Sequence, residues 1–242
     1  VHTTAGRFRP WQFAYARFLA NSCDRIVCVC PTARELHARR SGLPAWRYAV
    51  IPDGVGPEAF GRDGAARRAL RSDWGVGDEC VLVGFLGPLE QERGIDALLG
   101  AVSHLGARGD PVEVVIAGDG PRRQAVENFI AHGEGGWHAR FAGGPRCRRD
   151  LLAAVDVLVA PCRWEVRPLE LVEAMAAGVP AIVTDVPGVR DIVVDGQTGL
   201  VVRRGDVAAL AEAVVRLVRD RALLAALAQA GKAAVKERFT IA

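Results

Sequence analysis

Six short apolar runs punctuate the chain from position 80 onward: CVLVGFL, VEVVIAG, ARFAG, DVLVAP, PAIVTD and GLVV. Helical or turn-rich sequence separates each run from the next. A strand buried on both faces carries apolar residues without alternation, so this order predicts an α/β chain. The expected fold is a Rossmann-like, doubly wound parallel sheet with right-handed crossovers and helices on both faces. Ligands of such sheets bind outside the carboxyl ends of the strands. Gly87 follows the first run, Gly118 and Gly120 follow the second, and Glu165 follows Asp156 to Ala160, so one cleft is expected to gather them.

The first sixty residues differ in kind. RIVCVC and YAVIP read as strands, PTARELHARR as a helix, and RPWQFAYARFLANS as an aromatic-rich helix with apolar residues spread around it. These pieces do not make a domain by themselves, and a second unit is expected from about Gly61 onwards. The sole Met is Met175, which favours a fragment or a protein lacking its first half. Left uncovered, Phe8, Trp11, Phe13, Tyr15, Phe18 and Leu19 would form an apolar patch that a missing domain or a partner subunit should cover.

Composition narrows the classes. Half of the 242 residues are hydrophobic, 24% are charged and the formal net charge is +3, which suits a soluble α/β chain and implies no nucleic-acid partner. There is no run of eighteen apolar residues and no signal-peptide pattern, so a cytoplasmic location is expected by default. The basic stretch from Arg34 to Arg47 offers peripheral contact with an anionic membrane, although a solvated face is the plainer reading. Cys23, Cys28, Cys30, Cys80, Cys147 and Cys162 lie mostly in or beside apolar runs without a CxxC pair, which predicts buried, reduced thiols. His132, His138 and Cys147 are a remote metal candidate whose spacing fits no usual ligand pattern, so no metal is expected, and no cofactor is expected either.

The richest stretch runs from Pro161 to Asp185. Glu165 and Glu173 stand eight positions apart across the expected start of a helix, where Pro168 suits the first turn and Leu169, Val172, Met175 and Ala176 recur at helical spacing. Gly178 and Pro180 end that helix, and Ala181 to Val183 begin a buried strand. A helix amino end attracts phosphate through unpaired N–H groups and the macrodipole. Glu165 would then lie beside the anion, and the two oxygens of Glu173 would accept from both hydroxyls of a ribose. On spacing alone, two glutamates on a solvated helix edge are the favoured reading, and Glu170 between them reads as just that.

The segment EVRPLELVEAMAAG resembles the signature of the retaining family-4, or group 1, glycosyltransferases of GT-B architecture: Glu, seven residues, Glu, then Ala-Met-Ala-x-Gly. Further blocks agree in order, namely VIPDGV before Phe60, GFLGPLEQERGIDALLGAV, VIAGDGP, RFAG, VDVLVAPCRWE and PGVRDIVVDGQTGLVV. The resemblance implies that 1–60 are a remnant of the amino-terminal acceptor domain with the interdomain linker, and that 61–242 bind the nucleotide-sugar donor. AAVKERFTIA is similar to the start of the family's final helix. The implied reaction moves a hexose from a UDP-sugar or GDP-mannose to an acceptor hydroxyl with retention of configuration and without a bound metal. The acceptor would be a glycan, a lipid-linked sugar or a small molecule. In such a front-face mechanism the departing diphosphate helps deprotonate the acceptor, so the protein's main task is to stabilise charge on the leaving group.

Carried over residue by residue, the resemblance implies catalytic roles for Glu165, Arg93 and His2. It implies donor contacts from Gly87, Pro88, Arg93, Gly118, Gly120, Glu165, Val166, Arg167, Pro168, Leu169 and Glu173. The chain departs from the pattern in places. The family's Gly-Arg-Leu reads Gly87-Pro88-Leu89, its Lys-Gly reads Arg93-Gly94, and Val166 stands where a Gly is typical. Pro88 brings neither charge nor a backbone donor, whereas Arg93 keeps a fork suited to phosphate oxygens. Arg167 is expected to supply the charge lost at Pro88. His2 rests on VHTT alone, and Asp53, standing where Asn is usual, reads as a turn former. Two alternatives remain: a catalytically silent relative that binds a sugar nucleotide or a partner subunit, and a nicotinamide-dependent dehydrogenase. The latter is disfavoured because Arg123 replaces the last glycine of GxGxxG after Gly118 and Gly120.

Overall fold

A computed structural model describes residues 10–20, 22–56, 61–108, 112–132, 138–143, 148–164 and 169–240. The chain opens with α1 (Pro10–Ala20), β1 (Ile26–Cys28), α2 (Pro31–Ser41) and β2 (Tyr48–Val50), with β1 and β2 paired in parallel from Ile26 opposite Tyr48. Pro31 suits the first turn of α2, the Cys30 thiol accepts from the Ala33 N–H at 3.4 Å, and Gly42 closes the helix in the left-handed region at φ +68°.

Two expectations for this part change. Phe13 is buried, tilted against the His37 ring at 5.3 Å with the Arg40 guanidinium 5.4 Å from its centroid, so it leaves the expected apolar patch. Trp11, Tyr15, Phe18 and Leu19 are exposed, and Phe8 lies outside the described residues. Arg47, at the end of the basic stretch, turns inward and donates to the carbonyls of Ala20 at 3.1 Å and Cys23 at 2.7 Å. It staples the end of α1 to the approach to β2.

The remaining elements are α3 (Gly64–Asp73), β3 (Val81–Leu86), α4 (Ile95–Arg108), β4 (Val112–Ala117), α5 (Arg123–Ala131), β5 (His138–Gly143), α6 (Arg148–Ala154), β6 (Val157–Ala160), α7 (Leu169–Ala176), β7 (Ala181–Thr184), β8 (Gly199–Val202), α8 (Val207–Arg219) and α9 (Arg221–Arg238). The six strands from β3 onward form one parallel sheet in the order β5-β4-β3-β6-β7-β8, which is the expected fold class. The chain steps outward from β3 to β5, returns to lay β6 against the other side of β3, and then steps outward again to β8. The switch therefore falls between β3 and β6, paired through Val83 with Val157 and Gly84 with Leu158.

Both faces of the sheet are covered, which explains the unbroken apolar runs. Leu82 and Leu86 of β3 join the core beneath α6, α7 and α9, while Val81, Val83 and Phe85 join the core beneath α4 and α8. Asp63, Asp206 and Asp220 cap α3, α8 and α9 by accepting from backbone N–H groups one turn on. The segment after β2 crosses to the far end of the chain, where the Val55 N–H donates to the Phe239 carbonyl at 2.9 Å. Near it the Thr32 N–H donates to the Asp191 carboxylate at 3.2 Å, tying the first turn of α2 to the main sheet's domain.

A buried ion cluster fixes the amino end of the sheet. Asp156 accepts from the Leu82 N–H at 3.0 Å and from Arg71 at 3.1 Å through one oxygen, and from Arg67 at 2.9 Å through the other. Arg71, 1% exposed, also donates to the carbonyls of Gly77 and Cys80. Cys28, Cys30 and Cys162 are buried as expected, but Cys23 is exposed, and Cys147 lies outside the described residues. Among the described residues no helix is long and apolar enough to cross a membrane.

Candidate active site

At the switch point the carboxyl ends of β3 and β6 diverge and leave a crevice, walled by Leu86, Gly87, Ala160 and Cys162 and edged by Arg93 and Glu170. Two loops shape it. The loop after β3 turns outward at Gly87, exposes Pro88, buries Leu89 and ends in a 3-10 turn, Gln91–Arg93, that places Arg93 at the rim. Gly94 then enters α4 at φ +74°, and a Cβ there would collide with the Pro161 carbonyl oxygen of the loop after β6. Only glycine lets these loops touch. The contact continues as the Arg163 N–H donates to the Glu92 carbonyl at 2.9 Å, and Thr184 at the end of β7 donates to the Cys162 carbonyl at 2.5 Å.

Gly118 and Gly120 reach the same place from β4 by supporting the loop after β3. A Cβ on Gly118 would collide with the Gly87 carbonyl oxygen, and Leu89 donates to the Asp119 carbonyl and accepts from the Arg122 N–H, both at 2.9 Å. The neighbouring arginines are engaged by the protein itself. Arg122 forks onto Asp96 at 2.7 and 2.8 Å, and Arg123 donates to Glu127 at 2.8 Å. Arg93 is thus the guanidinium among these that faces the crevice.

Arg93 does not stand there alone. Its Nη1 donates to Glu170 Oε1 at 2.7 Å, with the two side chains only 19% and 14% exposed. Glu170 is therefore no solvated edge residue, contrary to the sequence-based expectation. Its position three residues before Glu173 held the clue, because residues so spaced share one face of a helix. Cys162, beneath the pair, has its thiol pushed up to about 11, chiefly by burial and against the pull of the Arg93 charge. It is a wall, not a nucleophile.

Glu173 is buried on the same face of α7, and its Oε2 accepts from Arg148 Nη1 at 2.5 Å. That hydrogen bond holds the Arg148 guanidinium further toward its charged form. Arg148, at the start of α6, belongs to no motif and escaped the sequence reading. One of the two Glu173 oxygens is thus engaged by a cation. Leu169, at the start of α7, is partly exposed. Glu165, Val166, Arg167 and Pro168, like His2, lie outside the described residues, and so does the expected phosphate position at the start of this helix. His132 Nδ1 is hydrogen-bonded to the Asn128 carbonyl at 2.8 Å, while the side chain of His138 is not described. Among the described residues no group of three His, Cys, Asp or Glu is placed to hold a metal ion.

Comparison with known proteins places this geometry. Residues 66–234 match the family model described as glycosyl transferases group 1, and residues 1–59 match that of glycosyltransferase family 4. The chain is 32% identical to the GDP-mannose-dependent alpha-(1-6)-phosphatidylinositol monomannoside mannosyltransferase of Mycobacterium tuberculosis, an alignment covering 96% of this chain and 62% of that protein. It is 29% identical to alpha-D-kanosaminyltransferase of Streptomyces kanamyceticus, covering 88% of this chain and 56% of that one. The chain thus spans about three fifths of the length of these relatives. Among solved structures, HepE of Anabaena in complex with UDP has the same fold, with a TM-score of 0.88 at 20% identity over 99% of this chain and 67% of that one.

Proposed function

The chain belongs to the group 1 glycosyltransferases, and from that premise we propose that it binds a nucleotide sugar and transfers its hexose to an acceptor hydroxyl with retention of configuration. One observation carries the proposal: the crevice opens at the topological switch point between β3 and β6 and presents Arg93 beside the backbone of Gly87. The mannosyltransferase relative uses GDP-mannose by name, and HepE was crystallised with UDP, which supports a UDP-sugar or GDP-mannose as the donor in this reading.

In this reading Arg93 balances the charge that develops on the departing diphosphate, and Glu173, held by Arg148, gauges the donor's sugars. Glu165, His2, Arg167 and the backbone from Val166 to Leu169 keep the roles that the family resemblance implies, with Arg167 compensating for Pro88. The domain division at position 60 and a cytoplasmic setting belong to the same proposal. The exposed Trp11, Tyr15, Phe18 and Leu19 fit a surface that the acceptor domain covers.

Thermal unfolding tests the donor class: UDP or GDP should raise the melting temperature and NAD should not. Protection by neither diphosphate would reject it. A second reading, a silent relative that binds the nucleotide without turning it over, draws on exposed Pro88 at a position where the family carries a cation. Turnover separates the two. An active, full-length form should yield a product with the donor's anomeric configuration by NMR, whereas binding without transfer or hydrolysis of any donor selects the silent reading.

A further inference from the structure

Glu170 occupies a position from which an anion touches both Arg93 and Gly87. Its Oε1 accepts from Arg93 Nη1 at 2.7 Å. The same oxygen lies 3.5 Å from where a Cβ on Gly87 would stand, with nothing else that close to the point. The carboxylate oxygen therefore rests against Gly87 and on the Arg93 cation at the carboxyl end of β3, while the Gly87 N–H donates to the Ala117 carbonyl at 3.0 Å.

The surroundings keep it there. Glu170 sits on α7, whose next six residues are buried, so its backbone cannot shift without disturbing the core. Arg148 also feels its charge. The ordinary purpose of a buried ion pair is not evident here. The pair is built from one hydrogen bond at the rim of a crevice, whereas Asp156 accepts from three donors.

Resting on the nucleotide-sugar reading above, we infer that Glu170 is a built-in stand-in for the donor's diphosphate. It neutralises Arg93 in the empty crevice and must leave that cation for the diphosphate to bind. A like charge left beside the diphosphate would repel it, so the residue sets donor affinity downward and makes exchange at Arg93 part of every binding event.

The test is calorimetric titration of the 242-residue chain with UDP, GDP, uridine and guanosine, in the wild type, Glu170→Gln and Glu170→Ala, with melting temperatures as a check on folding. For the diphosphate that binds, either variant should bind about tenfold more tightly, because the competing charge is gone. The matching nucleoside, which has no anion to compete, should change less than twofold. Diphosphate affinity that is unchanged or weakened in both variants would overturn the inference and leave the nucleotide reading intact, Glu170 then being a support for Arg93. Absence of diphosphate binding in all three proteins would overturn the nucleotide reading and this inference with it.

Discussion

The two ends of the central sheet use the same chemistry to opposite effect. At the amino end, Asp156 accepts from the Leu82 N–H, Arg67 and Arg71, and Arg71 donates onward to Ala154, Gly77 and Cys80. At the carboxyl end, Arg93 meets Glu170 at the crevice, and Arg148 meets Glu173, through one hydrogen bond each. A carboxylate saturated by several donors in a closed setting locks the fold. One that holds a single cation at a crevice can exchange it. The difference between structure and site thus lies in coordination and access, not in residue type.

Breaking the closed end should have the largest effect. Asp156→Ala leaves Arg71 buried without its carboxylate and should cost about 3–5 kcal/mol in urea unfolding. A loss below about 1 kcal/mol would mean that the cluster is not the staple described. Gly94→Ala attacks the join between the two site loops. An L-residue at φ +74° costs about 1–2 kcal/mol, and its Cβ would also push the Pro161 carbonyl aside, so stability and nucleotide binding should fall together. Arg93→Ala, at the open end, should lower diphosphate affinity about tenfold while costing less stability than Asp156→Ala.

A smaller effect should appear with pH. Burial raises the Cys162 thiol from 9.0 to about 11, so the folded chain keeps that proton where the unfolded chain releases it. Its contribution is complete below pH 9 and is lost as pH climbs toward 11, with a total on the order of 2–3 kcal/mol. Cys162→Ala should flatten the alkaline fall in unfolding free energy across that window. An unchanged slope would assign the fall to other groups, such as Tyr48 or Cys28, whose pKa values burial also raises.

The sheet was legible in the sequence because its strands are buried on both faces, which leaves unbroken apolar runs such as Val81 to Leu86. Helix α7 was legible from the spacing of Leu169, Val172 and Met175. The ion pairs were not, since they join residues far apart in sequence: Arg93 and Glu170 are 77 positions apart, and Arg71 and Asp156 are 85. Nothing local in RCRRD marks Arg148 as the partner of Glu173. The inward turns of Phe13 and Arg47 depend likewise on how α1 meets α2 and the approach to β2, which periodicity within either helix does not encode.

The claim on which the rest depends is that the carboxyl end of β3 and β6 receives a diphosphate. A crystal of the chain soaked with UDP or GDP tests it most directly. The diphosphate should lie on the Gly87 backbone within hydrogen-bond reach of Arg93, with Glu170 moved off that cation. A nucleotide bound elsewhere, for instance against Arg62 and Arg67 at the amino end, with the Arg93–Glu170 pair intact, would contradict it.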